Sequence, residues 1–175
     1  YYTKKPTLKD INLELENSSI FGIIGPNGSG KTTFINCIIG INDYKGKIIW
    51  ENEDDKRNIF YIPDENILPE LLTGYEYIEF VSKLYEKNDL SNIDSYLETF
   101  GIKRDSHKLL SQYSYGMKKK IQLIAAFIIN PKLLILDEIF RGLDIEAIIE
   151  TKKLLKRYSE SGGTVLLSSH DVLVV

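Results

Sequence analysis

The stretch from Gly25 to Thr33, Gly-Pro-Asn-Gly-Ser-Gly-Lys-Thr-Thr, constrains this 175-residue chain more than any other. It follows an apolar β-type run, and its last residues open a helical pattern that Gly40 closes. The stretch fits G-x-x-x-x-G-K-[ST] at every specified position, and glycines let successive backbone N–H groups line one concavity. An ordinary glycine turn that happens to carry a lysine is the alternative interpretation. The full pattern between a strand and a helix favours a site for a nucleoside triphosphate.

Each residue type in this stretch suits one part of phosphate chemistry. We expect Lys31 to bring a mobile positive charge to the β- and γ-phosphates, and the Thr32 hydroxyl to complete the shell of a Mg²⁺. The helix that follows adds the positive end of its dipole to the same spot. The predicted nucleotide-binding set is therefore Gly25, Pro26, Asn27, Gly28, Ser29, Gly30, Lys31, Thr32 and Thr33.

Bulk composition favours one ordinary globular domain. Hydrophobic residues make up 43% of the chain and charged residues 27%, which is enough apolar material for a core. The net charge of −3 argues against a large basic face for nucleic acid. The single cysteine, Cys37, excludes an internal disulfide and fits a reducing cytosol. No apolar run approaches a membrane span of ~20 residues and none resembles a signal peptide, so we expect a partner to supply any spanning part.

Hydrophobic periodicity predicts strands and helices that alternate, with a helical insert. The predicted strands are 11–16, 46–50, 58–62, 133–136 and 164–167. The predicted helices are 32–39, 74–87, 91–100, 115–129 and 145–158. We interpret the first three strands as a small antiparallel layer, and the uninterrupted apolar run at 133–136 as a parallel strand covered on both faces. The pattern predicts an α/β fold in which helices separate the two halves of the nucleotide site.

Three polar residues stand where the last two predicted strands end. Asp137 closes one apolar run, where a carboxylate can hold Mg²⁺ opposite Lys31, and Glu138 next to it can orient or deprotonate an attacking water. His170 follows the last strand, where loops gather around a ligand in open α/β sheets. Two acids at a solvated strand end and a structural histidine are the alternative interpretations.

With these residues placed, the chain resembles the ATPase domain of ABC transporters over nearly its whole length. Residues 25–33 match Walker A, 133–137 match Walker B with Glu138 in the catalytic position, and Tyr-Ser-Tyr-Gly-Met at 113–117 lies where the signature sequence stands. Residues 142–144 are similar to the D-loop, and His170 is similar to the switch histidine. The resemblance implies a P-loop NTPase (RecA-like) core with a small antiparallel β layer and an inserted helical subdomain.

The resemblance also implies boundaries, cofactors and roles. It implies one domain over 1–175, with the nucleotide core at about 1–70 and 131–175, the helical subdomain at about 71–130, and both ends trimmed. ATP and Mg²⁺ are the implied cofactors, and two domains pair head to tail around each ATP. The implied catalytic residues are Lys31, Glu138 and His170; the implied metal residues are Thr32, Asp64 and Asp137; the implied further nucleotide contacts are Tyr2 on adenine and Ser114, Gly116 and Asp144.

Four departures from the family pattern stand out. Asp64 replaces the usual Gln after Pro63, and Tyr115 and Met117 replace the usual Gly and Gln of the signature, as in export-type variants. Residues 139–140 are Ile-Phe where Pro-Thr is common, with an arginine directly after them, and the chain stops five residues after the histidine. For Ser114, the alternative to a nucleotide contact is that it serves only as a helix cap.

The leading prediction is the ATP-hydrolysing subunit of a membrane exporter. It would work as a homo- or heterodimer with a second ABC ATPase domain and with transmembrane permease subunits, peripheral on the cytoplasmic, inner face of the cell membrane. One alternative is an ABC-type ATPase acting on nucleic acid or ribosomes, which the acidic charge disfavours; no nucleic acid partner is expected. Another is a non-hydrolysing ATP-dependent clamp, which Glu138 and His170 disfavour.

Overall fold

The computed structural model describes residues 8–171, and within that range four strands form one parallel sheet in the order β1-β4-β3-β2. Tyr2, the predicted adenine-stacking residue, lies outside the described residues. The strands are β1 Ile20–Ile24, β2 Ile59–Ile62, β3 Leu133–Asp137 and β4 Thr164–Ser169. The two central strands, β3 and β4, are buried at every residue, as the uninterrupted apolar run predicts for a strand with a helix layer on each face.

The strand register gathers the polar strand ends at one edge of the sheet. Asp137, the last residue of β3, lies opposite Ser168 of β4, and Ile24 at the end of β1 lies opposite Ser169. Because all four strands run parallel, their carboxyl ends meet at that edge. The sheet therefore collects the groups that the sequence places after each apolar run.

Within residues 8–171, five α-helices accompany the sheet. They are α1 Lys31–Ile38, α2 Gly74–Leu84, α3 Ile93–Thr99, α4 Tyr115–Ile129 and α5 Ile145–Glu160. Side-chain caps mark the starts of three of them, α2, α4 and α5. Thr73 and Glu76 form a reciprocal capping box at α2, and the Asp144 carboxylate accepts the Ala147 N–H at α5. No helix in the described part of the chain is long and apolar enough to cross a membrane.

Two hydrophobic clusters lie against the sheet. The larger cluster joins β2, β3 and β4 to α2, α3, α4 and α5, so the inserted helices and the sheet share one continuous core. The smaller cluster surrounds Ile35 of α1 on the other face of the sheet. The helix α4 is buried along most of its length because it packs against α2, α3 and α5.

The early strands differ from the prediction. The segment predicted at 58–62 is a strand, β2, but its assignment to an antiparallel layer is wrong because it pairs parallel with β3, Ile59 opposite Leu133. Among the described residues, 11–16 and 46–50 are not assigned to strands. Alternation of apolar and polar residues reports which side of a segment is covered but not which strand lies beside it. Leu15 and Trp50 still pack against the smaller cluster, which accounts for their apolar character.

Candidate nucleotide site

The glycine-rich loop and Lys31 form one wall of the site. The loop joins β1 to α1, whose cap residue Gly30 has φ +100°, and Gly28 has φ +81°, conformations that favour glycine. The Lys31 side chain folds back over the loop, and its Nζ donates to the Gly25 carbonyl at 2.7 Å and to the Pro26 carbonyl at 3.4 Å. Only 8% of Lys31 is exposed. The other predicted loop residues adjoin this wall: Asn27, Ser29, Thr32 and Thr33.

Thr32 and Asp137 meet at the start of α1. The Thr32 hydroxyl donates to Asp137 Oδ2 at 2.7 Å, and the Ser168 hydroxyl donates to Asp137 Oδ1. Asp137 is almost fully buried, so these two hydroxyls satisfy a carboxylate that water barely reaches. Burial raises the pKa of Tyr61 nearby, and the negative charge of Asp137 raises it further. The structure thus brings together two predicted metal residues 105 positions apart in sequence.

Glu138 lies between Lys31 and His170. Its Oε1 is 3.2 Å from Lys31 Nζ, and its Oε2 is 2.8 Å from His170 Nδ1. Only 11% of the Glu138 side chain is exposed, and Oε1 accepts no hydrogen bond of good geometry from any described residue, so its contact with Lys31 is one of charge. The backbone of Glu138 has φ +49°, unusual for a residue with a side chain, and its N–H donates to the Ser168 carbonyl. The three predicted catalytic residues are therefore in contact.

Asp64 takes other partners. Arg141 Nη1 donates to Asp64 Oδ2 at 2.9 Å, and the Tyr115 hydroxyl donates to Asp64 Oδ1 at 3.0 Å and to the Asp64 carbonyl at 2.7 Å. Burial, reinforced by the Asp64 hydrogen bond, raises the pKa of Tyr115 to about 12. Thr32 and Ser168, which donate to Asp137, do not also donate to Asp64. Within residues 8–171, no group of three His, Cys, Asp or Glu side chains is placed to hold a metal ion. The assignment of Asp64 to a metal stays a prediction.

The predicted contacts to a second domain lie at two helix starts. Ser114 is exposed and caps α4, accepting the Met117 N–H at 3.3 Å, and Gly116 follows in the first turn. Asp144 caps α5, and its hydrogen bond from Lys120 lowers the pKa of its carboxyl, with the Ala147 N–H adding to the effect. No described contact links these residues directly to Lys31 or Glu138.

Sequence reasoning missed several residues of this site. Ser168 escaped notice because it continues the apolar run of β4, although its polar side chain two residues before His170 was a usable signal. Lys119 was read as part of a basic run, yet it is fully buried and donates to the Pro63 carbonyl at 2.5 Å. Burial lowers its pKa to about 8. A helix-start lysine gave no sequence signal of burial.

A glycine loop at a helix N-terminus, with a lysine and a hydroxyl–carboxylate pair at the ends of parallel strands, defines a P-loop nucleotide-binding domain. The family model described as "ABC transporter" matches residues 8–141. The uncharacterized ABC transporter ATP-binding protein YthP of Bacillus subtilis is 34% identical over 97% of this chain and 72% of its own length. This chain therefore belongs to the ABC transporter ATP-binding family, which binds and hydrolyses ATP to power transport.

Two further comparisons agree with that membership. The lipopolysaccharide export system ATP-binding protein LptB of Haemophilus influenzae is 29% identical over 98% of this chain and 77% of its own length. A solved structure described as the ATP-binding subunit of an ABC transporter superposes with a TM-score of 0.87 at 27% identity, covering 98% of this chain and 76% of that one.

Proposed function

We propose that this chain is the ATP-hydrolysing subunit of an exporter, and that Lys31, Glu138 and His170 perform the chemistry. The observation that carries the proposal is the position of Glu138, held between Lys31 at 3.2 Å and His170 at 2.8 Å at the end of a buried strand. An export role is supported by the similarity to a protein named for an export system. The carboxylate is placed to take a proton from water while the imidazole orients it.

The residues present fit a nucleotide with Mg²⁺. Thr32 and Asp137 supply a hydroxyl and a carboxylate oxygen, the ligand types that Mg²⁺ prefers. The Glu138 oxygen that lacks a hydrogen-bond donor among the described residues faces the Lys31 ammonium. Bound Mg²⁺ supplies positive charge against the developing charge on the phosphoryl oxygens. Lys31 adds its own charge there, and the loop amides between Gly25 and Thr33 hold the phosphates.

A second copy, or a similar domain, completes the site. Ser114 is exposed at the N-terminus of α4, where a helix start favours an anion, and Gly116 lies in the same first turn, packed against the Gly142 carbonyl. Within the described residues the Ser114 hydroxyl has only its capping contact to Met117. We infer that Ser114, Gly116 and Asp144 reach ATP held by the partner domain, as the family pairing implies. ATP then joins the two halves, and hydrolysis releases them.

The permease subunits would dock on the side of the 63–72 loop and α2. Ile67 is 79% exposed and Leu71 86% exposed, and Phe80 and Leu84 of α2 are also largely exposed. Four large apolar side chains on adjoining segments suit a protein interface. This arrangement supports permease subunits as partners, and we infer from such a partnership a position on the cytoplasmic, inner face of the cell membrane.

We extend the proposal to the domain plan. The helices between residues 74 and 129 support a helical subdomain at about 71–130, and the described residues 8–70 and 131–171 support the proposed nucleotide core at about 1–70 and 131–175. The contact of Leu15 and Trp50 with the smaller cluster supports a small layer formed by the segments 11–16 and 46–50 beside α1, and we propose that these two segments run antiparallel.

The test is ATP turnover by the full-length protein with and without Mg²⁺, and gel filtration of Glu138→Gln with ATP. We expect Mg²⁺-dependent turnover that rises steeply with protein concentration, and an ATP-dependent dimer of the variant. Turnover that persists in the variant, or a variant that stays monomeric with ATP, would contradict the proposal. ATP binding without turnover by the wild type would favour a non-hydrolysing clamp.

A further inference from the structure

Asp64 connects three segments that are distant in the sequence. Its side chain lies on the loop after β2, its partner Tyr115 is the first residue of α4, 51 positions on, and its partner Arg141 follows β3, 77 positions on. Both carboxylate oxygens are used, Oδ1 by the Tyr115 hydroxyl and Oδ2 by the Arg141 guanidinium. Hydrogen bonds that involve a charged group are stronger than neutral ones, and this carboxylate joins all three segments although the Arg141 side chain is exposed.

Two glycines allow the junction to form. A Cβ on Gly142 would lie 2.5 Å from Tyr115 Cδ1, and a Cβ on Gly116 would lie 2.5 Å from the Gly142 carbonyl. The tyrosine ring therefore lies directly on the backbone after Arg141, and Gly142 adopts φ +77°, which suits glycine alone. The first turn of α4 and the 141–142 backbone cannot move past each other without a steric collision.

Lys119 adds a second tie on the buried side. It lies one turn beyond Tyr115 on α4, its Nζ donates to the Pro63 carbonyl at 2.5 Å, and it lies 5.8 Å from the centre of the Tyr115 ring. With none of its surface exposed, the ammonium has given up water for this carbonyl and the negative charge of Asp64. The residue before Asp64 is thus fixed to the same helix turn.

The far end of the loop is also tied to α4. Asn66 Nδ2 donates to the Tyr115 carbonyl at 3.0 Å, and Gln122 Nε2 donates to Asn66 Oδ1 at 2.8 Å. Lys118 is 3.6 Å from the Glu70 carboxylate. Ile67 lies between these ties and Leu71 directly after them, and both expose their apolar side chains to solvent. The loop is exposed on one side and fastened to the start of α4 on the other.

We propose that Asp64, Tyr115 and Arg141 form a coupling clamp, a set of positioning residues that fixes Ser114 relative to the 63–72 loop and to the 141–144 segment. This proposal rests on the proposed function, in which Ser114 reaches ATP held by the partner domain. The coupling clamp links that Ser114 mechanically to the 63–72 loop. A push on the loop moves Tyr115, and Ser114 precedes Tyr115 directly, so the anion-binding end of α4 moves with the loop. In this assignment Asp64 acts through Tyr115 and Arg141 rather than through a metal ion.

The first test measures hydrogen exchange of the ligand-free, full-length protein. We expect Tyr115→Phe and Asp64→Ala to speed exchange at 63–72 and in the first turn of α4 on the order of five-fold, the ratio expected when one such hydrogen bond no longer opposes opening. Tyr85→Phe is the matched control, because the Tyr85 hydroxyl also donates to a backbone carbonyl, that of Ile59 at 2.6 Å, away from the clamp. Unchanged exchange at 63–72 in both clamp variants would overturn the proposal.

The second test separates positioning from catalysis. In Tyr115→Phe and Asp64→Ala we expect kcat to fall on the order of five-fold while the Kd of a fluorescent ATP analogue for the monomer stays unchanged, since the glycine loop is untouched. Both substitutions remove the contact of the Tyr115 hydroxyl with Asp64 Oδ1, so the fall in kcat of the double variant should be smaller than the product of the two single falls. If kcat of Tyr115→Phe and of Asp64→Ala stays within two-fold of wild type, or falls equally in Tyr85→Phe, the coupling clamp is overturned. If the wild type itself shows no turnover, the proposed function fails while the exchange experiment still decides the clamp.

Discussion

Replacing Glu138 by Gln isolates one charge of the site with little change of shape. In the ligand-free protein, Glu138 is the acidic partner of Lys31, with Oε1 3.2 Å from Nζ and both side chains almost buried. A triphosphate that takes up Lys31 must displace this carboxylate. The variant keeps the side chain's size and its ability to accept from His170, but it presents no negative charge to the lysine.

The size of the effect follows from the geometry. At an effective dielectric constant near 20, two unit charges at the 3.2 Å separation attract by about 5 kcal/mol. Most of this attraction is offset by the loss of hydration of both groups, which leaves a net contact of about 1 to 2 kcal/mol. Since about 1.4 kcal/mol corresponds to a tenfold change in affinity, Glu138→Gln should bind ATP about tenfold more tightly. Turnover should fall by about 100-fold or more, because the proposed general base is lost.

The assay is a titration of a fluorescent ATP analogue with Mg²⁺ at protein concentrations low enough to keep the chain monomeric, followed by steady-state turnover. Glu160→Gln is the control, since its carboxylate faces Lys156 at 3.9 Å on an exposed helix surface and should change neither quantity. An unchanged or weaker Kd for Glu138→Gln would refute the argument that this carboxylate competes with phosphate.

Three further outcomes follow from other contacts. Thr32→Val leaves one oxygen of the buried Asp137 without its donor, so we expect a stability loss of about 1 to 3 kcal/mol in urea unfolding, together with weaker Mg²⁺ dependence of ATP binding. Gly163→Ala places a Cβ 2.3 Å from the ring of Tyr158, which is buried, and urea unfolding should show a loss of about 1 to 3 kcal/mol. Burial lowers the pKa of Lys119 in the folded protein to about 8, against an ordinary 10.5. Above about pH 8 the unfolded chain therefore binds more protons at this residue than the folded protein does, so the free energy of unfolding rises with pH. Relative to Lys119→Met, the wild type should gain about 1 kcal/mol of stability between about pH 7 and pH 9 in urea unfolding.

Local chemistry made much of the fold predictable. The bounds of α4 match the predicted 115–129 because Ser114 caps its start and Pro131 follows its end. The strand β3 was predictable because an uninterrupted apolar run of that length fits a sheet covered on both faces. The glycine-rich loop was equally clear, since its residue types are tied to phosphate chemistry. Such signals lie within a few neighbouring residues.

Long-range partners could not be predicted in the same way. The strand β2 was identified, but its assignment to an antiparallel layer was wrong because a four-residue apolar run does not indicate whether its neighbour runs parallel. The contact of Tyr115 with Asp64 spans 51 positions, and no residue next to either of them in the sequence indicates that contact. The burial of Lys119 depends on the Pro63 carbonyl, which only the folded chain brings within reach.

The unequal burial of the two halves of this site has a thermal consequence. Asp137 and Ser168 end strands that are buried at every residue, whereas Ile67 and Leu71 lie on an exposed loop held mainly by side-chain contacts. Segments with few buried contacts open at a lower free energy than the central strands of a sheet. On warming, we expect the 63–72 loop to loosen before the central strands, because several of its ties to α4 and to Arg141 lie at the surface. From the proposed coupling clamp, we expect a range of temperature in which the protein still binds ATP but no longer transmits that binding to a partner.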